Sequence, residues 1–155
     1  MLSGRRLAVD VGTVRVGLAI SDFHAILGSG LGNAMRKASL EESCSEVIRI
    51  LDDVEPVVAY VGLPLSMSGN ASASTQDAID FGQALSGRLS CEVRFIDERL
   101  TTVSAASALR SSGKSSKSGR KIIDQIAATI ILEQALQIER STGKFAGKTF
   151  EELDV

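Results

Sequence analysis

The stretch Arg5–Asp22, RRLAVDVGTVRVGLAISD, constrains the fold more than any other part of the chain. It reads as two strands, 5–10 and 15–21, folded about a glycine turn at Gly12. In the second strand Val16, Leu18 and Ile20 alternate with Arg15, Gly17 and Ala19, the period of a strand with unequal faces. The first strand runs out at a carboxylate, Asp10. Asp is depleted in strands because it offers nothing to an apolar pleat. Asp10 therefore either opens the turn, as Asp often does, or holds a metal or meets a phosphate.

The chain downstream alternates helix and strand. A third short strand is expected near 25–31, broken by glycines. Ser39-Leu40-Glu41-Glu42 matches a capping box. The helix behind it carries Leu40, Cys44, Val47, Leu51 and Val54 as one apolar stripe, ended by Pro56. The continuous apolar run 57–61 suits a strand buried on both faces. A turn-rich loop 62–69 follows, then a helix over 75–89 and a strand over 91–96. Thr102 is placed to cap a short helix reaching Arg110. Residues 111–119 read as a mobile Ser/Gly/Lys loop, and 120–140 as the last helix. The pattern predicts an α/β fold: a mixed five-stranded sheet with an antiparallel N-terminal hairpin and flanking helices. A site is expected at the C-terminal ends of the parallel strands. The length of 155 residues suits one domain, taken as 1–140, with a loosely held polar tail over 141–155.

Composition removes several functions. With one His and two Cys no tetrahedral structural zinc site can close. Cys44 and Cys91 read as reduced core residues of a cytosolic protein, and His24 as a turn-side residue. No run is long or apolar enough to span a bilayer, and no signal peptide is visible. The net charge of −2 gives no global pull toward nucleic acid, so any such binding needs a local basic patch. With no Trp and one Tyr, an aromatic stacking platform for single strands is not expected.

Three acids carry the chemistry. Asp10 ends the first strand, Glu98 (with Asp97 before it) ends the last, and Asp124 opens the final helix. On that helix Asp124 shares a small apolar face with Ala127, Ala128 and Ile131. One such acid could simply favour the helix dipole. Three converging carboxylates repel one another unless a cation joins them. Oxygen ligands of this kind suit Mg²⁺ or Mn²⁺. Two such ions can activate water and steady the leaving oxygen of a phosphodiester. Neighbours on a strand face opposite ways, so only one of Asp97 and Glu98 can easily look into the site. The residues alone leave that choice open.

Four blocks, in order, carry a resemblance to a known family: Asp10–Asp22, Gly62-Leu63-Pro64-Leu65, Asp97-Glu98-Arg99-Leu100-Thr101-Thr102 and Ile123-Asp124-Gln125-Ile126-Ala127-Ala128. Over residues 5–138 the chain resembles the bacterial YqgF/RuvX family. The resemblance implies an RNase H-like fold, related to the Holliday-junction resolvase RuvC. It also implies a cytoplasmic nuclease that processes the 5′ end of pre-16S rRNA, with Asp10, Glu98 and Asp124 as its metal-binding catalytic acids. Ala8, Val14 and Ser68 depart from the family's usual Gly, Lys and Asp.

The basic residues fit a reader of the phosphate backbone. Arg15 lies in the hairpin and Arg99 follows Glu98. Lys114, Lys117, Arg120 and Lys121 gather in and after the 111–119 loop. All six are candidate substrate contacts on RNA or branched DNA. Arg99 could instead pair with Asp97 or Glu98, and the loop lysines could only keep a linker soluble. Two other functions compete with a metal-dependent nuclease. One is an actin-like ATPase, for which 155 residues leave no second lobe; the other is a binding module with vestigial acids. Resolving a junction calls for a symmetric dimer. No exposed apolar helix stripe announces one, so a monomer acting on RNA is expected.

Overall fold

The computed structural model describes residues 2–66, 68–99 and 117–153, with side chains from Ile126 onward in the last segment. The expected helix 102–110 and the loop residues 111–116 lie outside the described residues.

The N-terminal hairpin forms as β1 (Arg6–Val11) and β2 (Arg15–Ser21), antiparallel, with Asp10 opposite Gly17. β3 (Gly28–Met35) adds antiparallel to β2. It starts later than the expected 25–31. The Asp22 carboxylate accepts from the backbone N–H groups of His24, Ile26 and Leu27 at 2.8–3.0 Å. That ties 22–27 into a turn, with Ala25 at φ 57°. These bonds also hold the Asp22 carboxyl below its usual range, the Leu27 N–H first among them.

α1 (Leu40–Leu51) starts as the capping box predicts: Glu42 N–H donates to Ser39 Oγ at 3.1 Å. It stops before Pro56, because Asp52 and Asp53 both take left-handed backbone, at φ 46° and 68°. Short polar side chains tolerate that conformation and end helices with it. β4 (Val58–Leu63) is buried throughout. α2 (Ala73–Ser86) begins two residues ahead of the expected 75, behind a capping box of Ser72 and Thr75. β5 (Glu92–Asp97) follows. α3 (Lys117–Thr142) is longer than the expected 120–140 and takes in Lys117, which the sequence placed in the loop. Packing along the sheet sustains so long a helix.

The sheet order is β3-β2-β1-β4-β5, with β4 parallel to β1 and β5 parallel to β4. Alternation along the strands builds two cores. On one face Leu7, Val9, Val16, Leu18 and Val61 meet α1 and α2 through Cys44, Val47, Ala78 and Phe81. On the other, Ala8, Ala19, Tyr60 and Ile96 meet α3 through Ala127, Ala128, Ile131 and Leu132. The α3 face also buries an ion pair. Arg6 donates to both Glu139 carboxylate oxygens at 2.7–3.2 Å, and Tyr60 Oη donates to Glu139 Oε2 at 2.7 Å. Burial pushes the Tyr60 phenol well up.

The tail is not loosely held. Lys148 pairs with Phe95 by two backbone hydrogen bonds, at 2.7 and 3.0 Å, and closes the β5 edge. Arg94 clasps the Ala146 and Gly147 carbonyls at 2.6 and 2.7 Å. Among the described residues no helix is long and apolar enough to cross a membrane. Cys44 and Cys91 are free thiols, and burial pushes both upward in pKa.

Candidate active site

Asp10 is the penultimate residue of β1. Its neighbours Val9 and Ala8 point to the α1/α2 core and the α3 core respectively. Alternation therefore sends Asp10 to the α3 face, where it is 4% exposed. The residues level with it on either side have no side chains. Gly17 is its partner on β2, and Gly62 lies one step beyond the Val9–Val61 pair on β4. Strand spacing puts the Asp10 and Gly62 backbones roughly 4.8 Å apart. Neither glycine puts a side chain beside the carboxylate.

Glu98 enters from the far side of β4. It is the first residue past β5, 8% exposed, and its N–H donates to the Leu63 carbonyl at 3.2 Å. A Cβ on Gly62 would stand 2.2 Å from Glu98 Oε1 and 2.6 Å from Ile131 Cδ1. Glu98 thus lies on the α3 face, with Asp10, and Gly62 is the gap that its carboxylate occupies. Asp97 points the other way and accepts from Arg99: from Nη2 at 2.6 Å and from Nε at 2.8 and 3.1 Å. Those charged hydrogen bonds hold the Asp97 carboxyl below its usual range. The choice between Asp97 and Glu98 is settled by this geometry in favour of Glu98 as the neighbour of Asp10. Arg99 pairs with Asp97 and not with Glu98.

Arg15 projects from the same face of the sheet, diagonal to Asp10, and is 8% exposed. Asn33, paired with Gly17 on β3, extends the row, a neighbour the sequence analysis did not single out. Arg36 was also missed. It donates to the Gly12 carbonyl in the hairpin turn at 2.9 Å and bidentately to Asp77 of α2 at 2.9 and 3.1 Å. It also lies over the Phe81 ring at 5.4 Å. The turn that follows Asp10 is thereby tied to α2.

α3 runs from the site toward the foot of the sheet, since Ile131 meets Gly62 and Glu139 meets Arg6. Asp124 lies on it seven residues before Ile131, about 10 Å along the axis. Lys117, Arg120 and Lys121 lie on the same N-terminal turns. The side chains of these four, and all of Lys114, fall outside the described residues. Among the described residues no cluster of three or more His, Cys, Asp or Glu side chains is present. The described pair is Asp10 and Glu98.

The donor set fits a hard divalent ion. Both groups are carboxylates, both are nearly inaccessible, and both stand at strand ends on the α3 face of the sheet. Desolvated like charges repel, and a cation between them relieves that. Oxygen donors of this type select Mg²⁺ or Mn²⁺ over softer metals.

Comparison with known proteins bears on the fold and the family. A solved structure of Thermus thermophilus RuvC bound to a Holliday junction superposes with a TM-score of 0.55 over 90% of this chain and 97% of that one, at 17% identity. That likeness shows the fold, which is RNase H-like. A Leifsonia xyli protein named "Putative pre-16S rRNA nuclease" is 47% identical over 151 residues, 97% of each chain. Relatives of the same name from Clavibacter sepedonicus and Streptomyces avermitilis are 43% and 40% identical over 147 and 152 residues. They cover 95% and 97% of this chain, and 91% and 97% of their own lengths. Residues 4–138, which hold β1 through most of α3 together with Asp10, Glu98 and Asp124, match the family described as RuvX, Holliday junction resolvase. This chain belongs to the RuvX family.

Proposed function

We propose that the protein is a metal-dependent nuclease that hydrolyses phosphodiester bonds in the 5′-end processing of pre-16S rRNA. The observation that carries this reading is the placement of two buried carboxylates, Asp10 and Glu98, on the α3 face at the C-terminal ends of the parallel strands. The names of relatives alike over nearly their whole length support the rRNA precursor as substrate.

In this reading Asp10, Glu98 and Asp124 hold Mg²⁺ or Mn²⁺, as one ion or a pair. When bound, the metal supplies a water activated at neutral pH and a counter-charge for the leaving oxygen. The chain's own residues fix the geometry. Gly62 leaves the space that the Glu98 carboxylate fills, and Gly17 adds no side chain beside Asp10. The Leu63 carbonyl holds the backbone of Glu98, and Arg36 pins the turn after Asp10 to α2. Arg15, Arg99, Lys114, Lys117, Arg120 and Lys121 contact the phosphate backbone and position the strand without reading its sequence. The free thiols Cys44 and Cys91 suit work in the reducing cytoplasm.

A second reading, junction resolution, is favoured by the family's description and by the RuvC-like fold. Side-by-side cleavage of a precursor 16S 5′ end and a four-way DNA junction, with Mg²⁺ and with Mn²⁺, separates the two. The expected result is cleavage of the RNA by the wild type. Asp10→Asn, Glu98→Gln and Asp124→Asn should each lower the rate by at least about 10²-fold, as when transition-state electrostatics are removed. Cleavage of the junction alone would replace the RNA reading. Cleavage of neither, with metal supplied, would overturn the nuclease.

A further inference from the structure

Beyond β4 the chain folds a small polar loop over 66–70 whose described residues hold one another. Ser66 N–H donates to the Asn70 carbonyl at 3.0 Å and Gly69 N–H to the Ser66 carbonyl at 2.8 Å. Asn70 N–H donates to Ser66 Oγ at 3.0 Å, and Asn70 Nδ2 to Ser68 Oγ at 3.1 Å. The two serine hydroxyls stand 3.0 Å apart. Only one of their protons can lie between them. Whichever serine donates, the proton of the other is directed to a third group.

Arg99 reaches this loop from the end of β5. A Cβ on Gly69 would stand 2.9 Å from Arg99 Nη1, and Gly69 holds φ +88°. A guanidinium has five N–H donors in a fixed fork. Asp97 takes the edge formed by Nε and Nη2. The second edge, Nη1 with the remaining Nη2 proton, lies toward the loop, and the Arg99 side chain is 31% exposed. Arg99 is thus fixed by a carboxylate on one edge, while its other edge, which takes no hydrogen bond among the described residues, lies toward the loop that carries the serine pair.

A cationic fork and a hydroxyl donor side by side suit an oxyanion, and a phosphate accepts a bidentate guanidinium best. We propose that Arg99 and the serines of the 66–70 loop form a subsite for a backbone phosphate of the nucleic-acid strand, at the same end of the sheet as the carboxylates. Arg99 follows Glu98 directly in the chain, at the end of β5. The strand's path rests on the nuclease reading; the phosphate chemistry of the subsite does not. Asp97 is a positioning residue, since it orients the fork and touches no substrate.

The test is equilibrium binding of a fluorescent single-stranded RNA of about twelve nucleotides, with EDTA present so that no cleavage intervenes. Salt is varied from about 50 to about 300 mM; each phosphate neutralised contributes about 0.7 to the slope of log affinity against log salt for a single strand. Arg99→Gln should flatten the slope by about that amount. Arg99→Lys should keep the slope and weaken binding, because a point charge replaces a fork. Ser66→Ala with Ser68→Ala should weaken binding about two- to tenfold at unchanged slope, as for a lost neutral hydrogen bond. A wild-type slope in Arg99→Gln, or no effect of the serine double variant, overturns the subsite. RNA that binds in this way but is never cleaved with metal keeps the subsite and overturns the nuclease. Cleavage with a wild-type slope in Arg99→Gln does the reverse.

Discussion

At the scale of single residues, the gap at Gly62 matters as much as the acids around it. Its missing side chain is what lets Glu98 Oε1 lie against β4. Gly62→Ala should push Glu98 aside. A displacement of about 1 Å can cost about 10²-fold in rate, while overpacking costs about 1–3 kcal/mol. Cleavage kinetics beside a thermal melt check this: the rate should collapse while the protein still folds. A Gly62→Ala enzyme with wild-type rate would show that Glu98 is not held there. The sequence displayed the acids but not this relation. Asp97 and Glu98 were indistinguishable because the choice depends on where β5 stops, and alternation ceases to be a guide past a strand's end. Arg36 was invisible for another reason: its partners, Gly12 and Asp77, are 24 and 41 residues away.

At the scale of elements, periodicity located β1, β2, α1, β4, α2 and β5 within a few residues, and the deviations have local causes. Asp22 gathered three N–H groups and delayed β3. Asp52 and Asp53 ended α1 ahead of Pro56. The tail looked unanchored because its hold is backbone pairing to β5, the Arg94 clasp and three scattered apolar residues, Phe145, Ala146 and Leu153, which make no periodic pattern. Removal of residues 145–155 should therefore lower the melting temperature and speed amide exchange along β5, while a truly loose tail would leave both unchanged. α3 is fixed at its far end by Arg6 and Glu139. Arg6→Met strands a buried carboxylate and should cost about 3–5 kcal/mol, whereas Arg6→Met with Glu139→Leu should recover much of that. Denaturant unfolding of the two variants reads the difference. Equal losses in both would mean that the pair is not buried as described.

At the scale of the molecule, the order β3-β2-β1-β4-β5 does the assembling. It sets β1 and β5 on either side of β4, so acids 88 residues apart in sequence end on one face beneath α3. Strand alternation and the four family blocks made the mixed five-stranded sheet and its antiparallel hairpin legible before any coordinates, but not the strand order. They could not show which glycines clear the space, because a glycine's role is defined by the side chain that moves into it. The central claim is that positions 10, 98 and 124 serve one divalent site. Calorimetric titration with Mn²⁺ tests it most directly, on the wild type and on Asp10→Asn, Glu98→Gln and Asp124→Asn. Each substitution alone should weaken Mn²⁺ binding by tenfold or more, about 1.4 kcal/mol, with the fold intact. Wild-type Mn²⁺ affinity in any one of the three would contradict it.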